Sequence, residues 1–195
     1  MEQNAPDNNK NTFPKKSISV IPFVWIERQK IRQDSSFPEI WDLLDNVKDP
    51  EIPVLSLWDL GVLCNIGKSE SDQLEITITP TYSGCPAIEV MQQDIKIALQ
   101  NGGYQAPIFN IRLSPAWTTD WISPEGRDQL KAFGIAPPKS CNAADNATAT
   151  PKKGIQCPIC NSYETLLVSE FGSTACKALY KCTSCFEPFD YFKAI

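Results

Sequence analysis

Histidine is absent from this 195-residue sequence, and its absence removes several classes of enzyme. A chain without imidazole cannot supply the base of a Ser-His-Asp triad or of a Cys-His pair. It also cannot supply the Glu-x-x-His ligands of a ferritin-like di-iron centre. Any bound metal must therefore be held by thiolate, carboxylate or backbone oxygen.

The sequence also lacks a long apolar run. Residues 18–26 are apolar but are interrupted by Pro22, and they are far fewer than the roughly 20 residues that span a bilayer. They also lack the small-residue cleavage site of a signal peptide. We therefore expect a cytoplasmic protein without a membrane partner. In that reducing compartment, the eight cysteines are expected to be metal ligands or reactive thiols rather than disulfides.

Clustered basic residues and phosphate-binding loops are missing as well. Residues 37–133 carry 14 acidic and 6 basic side chains, whereas residues 151–195 carry 4 acidic and 5 basic ones. Nucleic-acid binding needs clustered cations that displace counterions from phosphates. We therefore expect no nucleic-acid partner, and the absence of a Walker-type lysine motif argues against a phosphate loop.

Two Cys-x-x-Cys pairs form the strongest motif that is present. Cys157 and Cys160 make the first pair, Cys182 and Cys185 the second, and 21 residues separate Cys160 from Cys182. Two such turns bring four thiolates to one ion in a tetrahedral set with Zn–S bonds of about 2.3 Å. The spacing predicts a ribbon that binds structural zinc, and the metal would supply much of its folding free energy.

Cys176 is a fifth thiol close to these pairs in sequence. Its spacing to Cys182 and Cys185 misses that of plant-type ferredoxins by one residue, so an iron–sulfur cluster is an alternative to zinc. Cys176 is expected to be either a small buried apolar side chain or an additional ligand near the metal. A thiol-redox function of the two pairs is a further alternative, although such motifs normally follow a strand in a βαβ pattern.

Apolar periodicity predicts helices and strands between residues 37 and 133. The first helix is expected to have Ser36 as its N-cap and to end near Asp49-Pro50, and the last to have Ser123 as its N-cap. The first two strands are expected to form a hairpin. The expected elements are helices over 37–49, 86–101 and 124–133, and strands over 61–67, 73–79 and 108–113.

Composition divides the chain into four parts. Residues 1–36 are expected to form a partly disordered N-terminal extension, and residues 37–133 an α/β domain. Residues 134–154 are rich in Ala, Pro, Thr and Asn, which is typical of a linker. Residues 155–195 form the ribbon.

The turn before the second predicted helix contains Gly84, Cys85 and Pro86. Gly84 permits a sharp turn, Cys85 is expected at the N-cap and Pro86 at the first helical position. Unpaired N–H groups and the helix dipole should then lower the pKa of Cys85. Cys85 is either a thiol that holds a metal or cluster transiently or a residue that only caps the helix.

Three carboxylates precede the first predicted strand. Asp49 and Glu51 flank Pro50, and Asp59 follows a few residues later. If loops gather at one end of the sheet, these carboxylates would meet the Cys85 turn. The alternative for Asp49 is a residue that ends a helix or forms a turn.

The end of the ribbon is unusually aromatic. Its rings either form a docking surface or cover the ribbon's own sheet. The residues concerned are Phe186, Pro188, Phe189, Tyr191 and Phe192.

Four segments carry a resemblance to known families. DPEIP at 49–53, DLG at 59–61 and TPTYSGCP at 79–86 resemble the SufT-like family of metal-sulfur cluster assembly factors. The segment 171–190, which contains FGSTACKAL and EPFD, is similar to the C-terminus of PaaD-type accessory proteins of the phenylacetyl-CoA epoxidase system.

The resemblance implies an α+β fold, in which a small mixed sheet packed with helices precedes a zinc ribbon. It implies that Cys85 is the functional thiol, with Asp49, Glu51 and Thr81 around it. It also implies a non-enzymatic accessory factor that binds iron or an iron–sulfur cluster transiently while the epoxidase matures. The implied partners are epoxidase components, above all the iron–sulfur reductase.

The alternative function is a stable structural or docking subunit of the oxygenase. It is suggested by the aromatic ribbon end and by Trp117 and Trp121, which are expected in a loop. Whether the chain forms a homodimer is left open.

Overall fold

The computed structural model describes residues 23–138 and 154–195, which adopt an α+β fold. The predictions made for residues 1–22 and 139–153 lie outside this range. The helices are α1 (Phe23–Gln33), α2 (Pro38–Leu44), α3 (Ile88–Asn101) and α4 (Pro124–Ala132). The strands are β1 (Leu63–Lys68), β2 (Leu74–Ile78), β3 (Ile108–Ile111), β4 (Thr165–Ser169), β5 (Lys177–Cys182) and β6 (Pro188–Phe192).

The first sheet is small and mixed, as expected, with the order β1-β2-β3. Strands β1 and β2 form the predicted antiparallel hairpin, and β3 lies parallel to β2 after the crossover through α3. A parallel connection needs such a crossover, because a tight turn can only reverse the chain. The central strand β2 buries Ile76 and Ile78 completely.

Helix α3 supplies one side of the main core. Met91, Ile95 and Leu99 recur every four residues, which places them on one face, and all are buried. The fully buried Leu44 of α2 belongs to the same core, and α2 and α3 are in contact. Helix α3 agrees with the prediction except at its first turn.

Helix α2 is shorter than predicted and is capped differently. It ends at Leu44 rather than near Asp49-Pro50, because Val47 and Asp49 pair with the following loop: Leu57 N donates to Val47 O at 3.0 Å. The N-cap is Phe37 and not Ser36, and its side chain makes no capping bond. The predicted Ser123 cap of α4 is present, with Ser123 Oγ accepting from Gly126 N at 2.7 Å.

Helix α1 lies within the N-terminal extension, where the sequence showed no clear pattern. It buries Trp25 and Arg28 against the first domain. Trp25 lies 5.2 Å from Trp58, measured between ring centroids. Helix α1 therefore packs on the main core through Trp25, although Phe23, Ile26 and Ile31 remain exposed. No helix in the described part of the chain is long and apolar enough to cross a membrane.

The second sheet is the ribbon, with antiparallel strands in the order β4-β5-β6. It packs directly on the first domain. Phe192 of β6 is fully buried in the main core, 5.9 Å from the ring of Trp117, and Thr119 N donates to Ile195 O at 3.2 Å. Trp117 and Trp121, which suggested an exposed docking loop, are both buried.

The start of the predicted linker is also packed. Ala136 is buried and pairs in parallel with Tyr191 of the ribbon. Ala136 N donates to Asp190 O at 2.8 Å, and Ala136 O accepts from Phe192 N at 2.9 Å. The described residues 134–138 thus tie the first domain to the edge of the ribbon sheet.

Candidate functional site

The four paired cysteines meet in one place. Their sulfur atoms lie within 4.8 Å of one another. Cys157 Sγ is 3.8 Å from Cys185 Sγ, and Cys160 Sγ is 3.5 Å from Cys182 Sγ. Among the described residues, this is the one group of three or more Cys, Asp or Glu placed to hold an ion.

These distances fit a tetrahedral metal. Bonds of about 2.3 Å to a central ion place neighbouring sulfurs about 3.8 Å apart. The N–H groups of Cys185 and Ser184 point at Cys182 Sγ, at 3.5 and 3.4 Å, and they lower the pKa of the Cys182 thiol to about 6. A lowered pKa favours the thiolate, which is the form that binds metal.

Both Cys-x-x-Cys turns end in the same backbone conformation. Asn161 follows Cys160 with a φ of 62°, and Phe186 follows Cys185 with a φ of 67°. Asn tolerates this left-handed region, whereas it is strained for a bulky residue. Phe186 is nonetheless 70% exposed, so its ring does not stabilise the ribbon by burial.

The second candidate site is the turn that contains Cys85, and its position differs from the prediction. Helix α3 begins at Ile88, with Ala87 as the N-cap, so Cys85 is not the N-cap and Pro86 is not the first helical residue. Cys85 instead closes a tight turn in which its N–H donates to Tyr82 O at 3.2 Å. The Cys85 thiol is half-buried beside the main core.

The predicted lowering of the Cys85 pKa was wrong. Burial raises the pKa of the thiol above its ordinary value of 9.0, and the negative charges of Glu51 and Asp49 raise it further. The N–H of Ala87 opposes this shift but does not reverse it. Because α3 begins three residues later, Cys85 lies outside the first turn, where the helix dipole acts.

We therefore expect Cys85 to be alkylated slowly at neutral pH in the metal-free protein. Its reaction rate with iodoacetamide should rise with a midpoint above pH 9.0, because only the thiolate reacts. Glu51→Gln should move the midpoint down by removing one negative charge. Peptide mass spectrometry across a pH series measures both midpoints, and a wild-type midpoint below that of a free cysteine would contradict this expectation.

Asp49 stabilises a turn within this site. Its Oδ1 accepts N–H groups from Glu51 at 2.9 Å and from Ile52 at 2.7 Å, which holds the turn after Pro50. Asp49 is almost fully buried, and burial raises its pKa despite these two bonds. The turn interpretation of Asp49 therefore agrees with the structure, and the turn also brings Asp49 and Glu51 into electrostatic range of Cys85.

Thr81 lies close to Cys85 in the chain, whereas Asp59 makes its contacts away from the Cys85 turn. Thr81 is buried four residues before Cys85. Asp59 has its contacts elsewhere, since its carboxylate accepts from Ser56 Oγ and Ser123 Oγ, both at 2.7 Å. Asp59 thus fastens the loop before β1 to the start of α4.

Cys176 lies with the first domain and not with the ribbon cysteines. It is buried in the main core, and Thr174 Oγ1 lies 3.0 Å from its sulfur. Burial raises the pKa of Cys176, and Glu51 and Asp49 act in the same direction. Of the two alternatives that the sequence left for Cys176, the structure agrees with the small buried side chain, because Cys176 is not part of the group formed by the four paired cysteines.

Two further residues of this site were not identified from the sequence. The Tyr82 hydroxyl interacts with the Cys85 thiol and is in electrostatic range of Cys176. Lys177 is 3% exposed, and its Nζ lies 4.0 Å from Asp190 Oδ2. Tyr82 belonged to the recognised motif, but a lysine in a strand carries no signal that it will be buried.

Some residues at the aromatic end of the ribbon cover its own sheet, and others are exposed as a docking surface would require. Phe189 and Phe192 are buried, and Tyr191 packs against Tyr180 with ring centroids 5.7 Å apart. These rings cover the ribbon's own sheet or the main core. Phe186 and Pro188 remain exposed.

Comparison with known protein families gives a match for each domain. Residues 38–103 match the family described as "Iron-sulfur cluster assembly protein". Residues 142–193 match the family described as "PaaD zinc beta ribbon domain". The two matches follow the same order as the two sheets.

Three similar proteins match this chain over different shares of its length. A subunit of the "Putative 1,2-phenylacetyl-CoA epoxidase" of Escherichia coli K12 is 48% identical over 157 residues, which is 80% of this chain and 92% of that protein. "Fe-S protein maturation auxiliary factor" of Porphyromonas gingivalis W83 is 29% identical over 93 residues, which is 47% of this chain and 88% of that protein. A solved DUF59 domain from Bacillus anthracis is 21% identical, covering 54% of this chain and 95% of that one, with a TM-score of 0.43.

Proposed function

The chain belongs to the PaaD family of the phenylacetyl-CoA epoxidase system, and from this premise we propose that it is a non-catalytic factor for iron–sulfur cluster maturation in that system. The client that fits best is the iron–sulfur reductase component of the epoxidase. The factor would act in the cytoplasm, and Cys85 would be its functional thiol. The site that carries this proposal is the Cys85 turn with Asp49 and Glu51 beside it.

The geometry of this turn supports a transient contact with a cation. Cys85 is half-buried, and its neighbours Ser83, Gly84 and Pro86 are exposed, so a client can reach it. The nearby carboxylates disfavour an isolated thiolate but attract a metal ion. Thiolate is a soft ligand that suits iron–sulfur chemistry. The thiol is thus neutral in the metal-free protein and becomes a thiolate when a metal binds.

We further propose that the ribbon ion is zinc and that its role is structural. Four thiolates with no open position are typical of structural zinc sites, whereas catalytic sites keep one position for water or substrate. The thiol-redox alternative is disfavoured because the same four cysteines converge on one metal position.

Cys85→Ser tests the proposal through the iron content of its client. Co-expressed reductase should lose most of its iron, because serine keeps the turn but removes the thiolate. Ser83→Ala is the matched control, since Ser83 is an exposed residue of the same turn and its variant should load the reductase normally. Iron and acid-labile sulfide in the purified reductase are the measurements, and full loading with Cys85→Ser would reject the proposal.

A stable structural component of the oxygenase is the second candidate, and the exposed ring of Phe186 favours it. Phe186 combines a strained backbone with an exposed side chain, which suggests that its ring contacts a partner protein. The same co-expression separates the two functions. A maturation factor should be absent from the finished complex, whereas a structural component should co-purify with it in a fixed ratio.

A further inference from the structure

One edge of the ribbon sheet is open within the described part of the chain. Strand β4 stands at the end of the order β4-β5-β6, and among the described residues it pairs only with β5. The opposite edge is closed, because β6 pairs with Ala136 of the segment that leaves the first domain. An open edge presents backbone N–H and C=O groups to any strand that approaches it. Strand β4 is therefore the place where this sheet can be extended.

Leu167 directs both of its backbone hydrogen-bonding groups to this edge. Thr183 N donates to Glu164 O at 2.8 Å, so Glu164 bonds towards the side of β5. In an antiparallel pair, hydrogen-bonded and non-hydrogen-bonded residue pairs alternate along the ladder. Leu166 therefore also bonds towards β5, whereas the N–H and C=O of Leu167 point away from it. A shift of register between Leu167 and Ser169 ends the regular ladder, which limits an added strand to a short contact.

The side chains of β4 are apolar and exposed. Leu166 is 61% exposed, Leu167 46% and Val168 57%. Successive residues of a strand point to opposite faces, so both faces of the sheet are apolar at this edge. Native edge strands are protected by charged residues, proline or bulges, and β4 has a bulge but no charged residue or proline. Three consecutive exposed apolar residues at an open edge indicate a contact surface.

Acidic residues flank this apolar strand on both sides. Glu164 precedes β4 and Glu170 follows it, and both are exposed. Opposite charges across a strand pair stabilise it and like charges destabilise it, so a partner strand is favoured if it has Lys or Arg at its two ends. The same charges disfavour a second copy of this chain. Self-pairing centred on Leu167 would bring Glu164 of one copy beside Glu170 of the other.

We propose that β4 is the docking edge for a partner protein, which adds an extended strand with an apolar centre and basic residues at both ends. Main-chain hydrogen bonds to Leu167 set the register of this contact. Apolar side chains of the partner beside Leu166 and Val168 give it affinity. The contact involves neither Cys85 nor the four paired cysteines, so it goes beyond the proposed function and does not depend on it.

Three synthetic peptides test the proposal on the full, zinc-loaded chain. Lys-Thr-Val-Ile-Val-Thr-Lys has the expected chemistry, Glu-Thr-Val-Ile-Val-Thr-Glu reverses its end charges, and Lys-Thr-Val-Pro-Val-Thr-Lys removes its central N–H. Amide exchange of Leu167, measured by NMR, should slow about threefold when the first peptide reaches twice its Kd. The other two peptides should leave this exchange unchanged at the same concentration. Equal effects of all three peptides, or no effect of the first up to its solubility limit, would overturn the proposal.

Charge reversal on the protein provides a matched test. The double variant Glu164→Lys with Glu170→Lys should bind the Glu-ended peptide and no longer the Lys-ended one, because only the sign of the flanking charges has changed. Both positions are exposed, so its zinc content should equal that of wild type. Glu27→Lys with Glu70→Lys is the control, since it reverses two exposed acids of the first domain and should keep the wild-type preference. A reversed preference in the control would show that net charge acts rather than β4, and would overturn the proposal.

Sedimentation of the chain without peptide tests the other occupant, a second copy. The wild-type chain should show no association through β4, and protection of the Leu167 amide should require peptide. A dimer that protects this amide and dissociates in Leu167→Lys would assign β4 to self-pairing instead, and would overturn the partner strand.

Discussion

Cys182→Ser is expected to abolish metal binding by the ribbon and to unfold residues 154–195. The small core cluster beneath the ribbon contains four buried residues, and two of them, Cys157 and Cys182, are proposed metal ligands. Without metal, this cluster keeps only Ala136 and Phe189 as apolar members, and the ribbon's other buried contacts, through Cys176 and Phe192, are made with the first domain. Structural zinc contributes about 10–16 kcal/mol of apparent binding free energy in zinc-finger peptides, so loss of the ion removes a large part of the ribbon's folding free energy.

Metal analysis and hydrogen exchange check this expectation. The variant should contain no stoichiometric zinc, and the amides of β4, β5 and β6 should exchange freely. Unfolding should also expose the first domain's core, because Phe192 is removed from its place beside Trp117. Cys176→Ser is the control and should keep its zinc, since Cys176 is outside the metal site. A Cys182→Ser protein with full metal content and protected ribbon amides would contradict the assignment of the ligands.

Arg28→Ala is expected to cause the largest loss of stability outside the metal site. The guanidinium of Arg28 donates to Trp121 O, to Leu63 O at 2.9 Å and to Trp58 O at 3.1 Å. It also lies 4.2 Å above the ring of Trp58. Burial lowers its pKa to about 10, so the group stays charged at neutral pH. Alanine leaves three buried carbonyls without this donor and opens a cavity, at a cost of about 3–5 kcal/mol.

Thermal unfolding measures the effect. For a chain of this size, the expected loss lowers the melting temperature by about 10 °C. Lys30→Ala is the matched control, because Lys30 is exposed on the same helix and should change the melting temperature little. Equal melting temperatures of Arg28→Ala and wild type would show that α1 is not held by this residue.

Features with a local cause were predictable from the sequence. The β1–β2 hairpin, the apolar face of α3 and the Ser123 cap each depend on residues a few positions apart. Helix α1 was not predictable in this way, because its order depends on Arg28 reaching the carbonyls of residues 58, 63 and 121. The end of α2 was misplaced because its following residues pair with a later loop. The start of α3 was misplaced although its cause is local: the Tyr82–Cys85 turn delays the helix, and the sequence pattern did not distinguish this turn from a first helical turn.

The sequence by itself determined that the paired cysteines can converge, because a Cys-x-x-Cys turn places two thiols on one side of the backbone wherever it occurs. The spacing of two such turns was enough to predict the group of four thiols that the structure brings together. Only the tertiary structure decided the surroundings of Cys85 and Cys176. Packing of Phe192 into the first domain sets Cys176 near Asp49 and Glu51, more than a hundred residues away in the chain. Spacing along the chain cannot report such a meeting, because it results from the burial of side chains between two separately formed sheets.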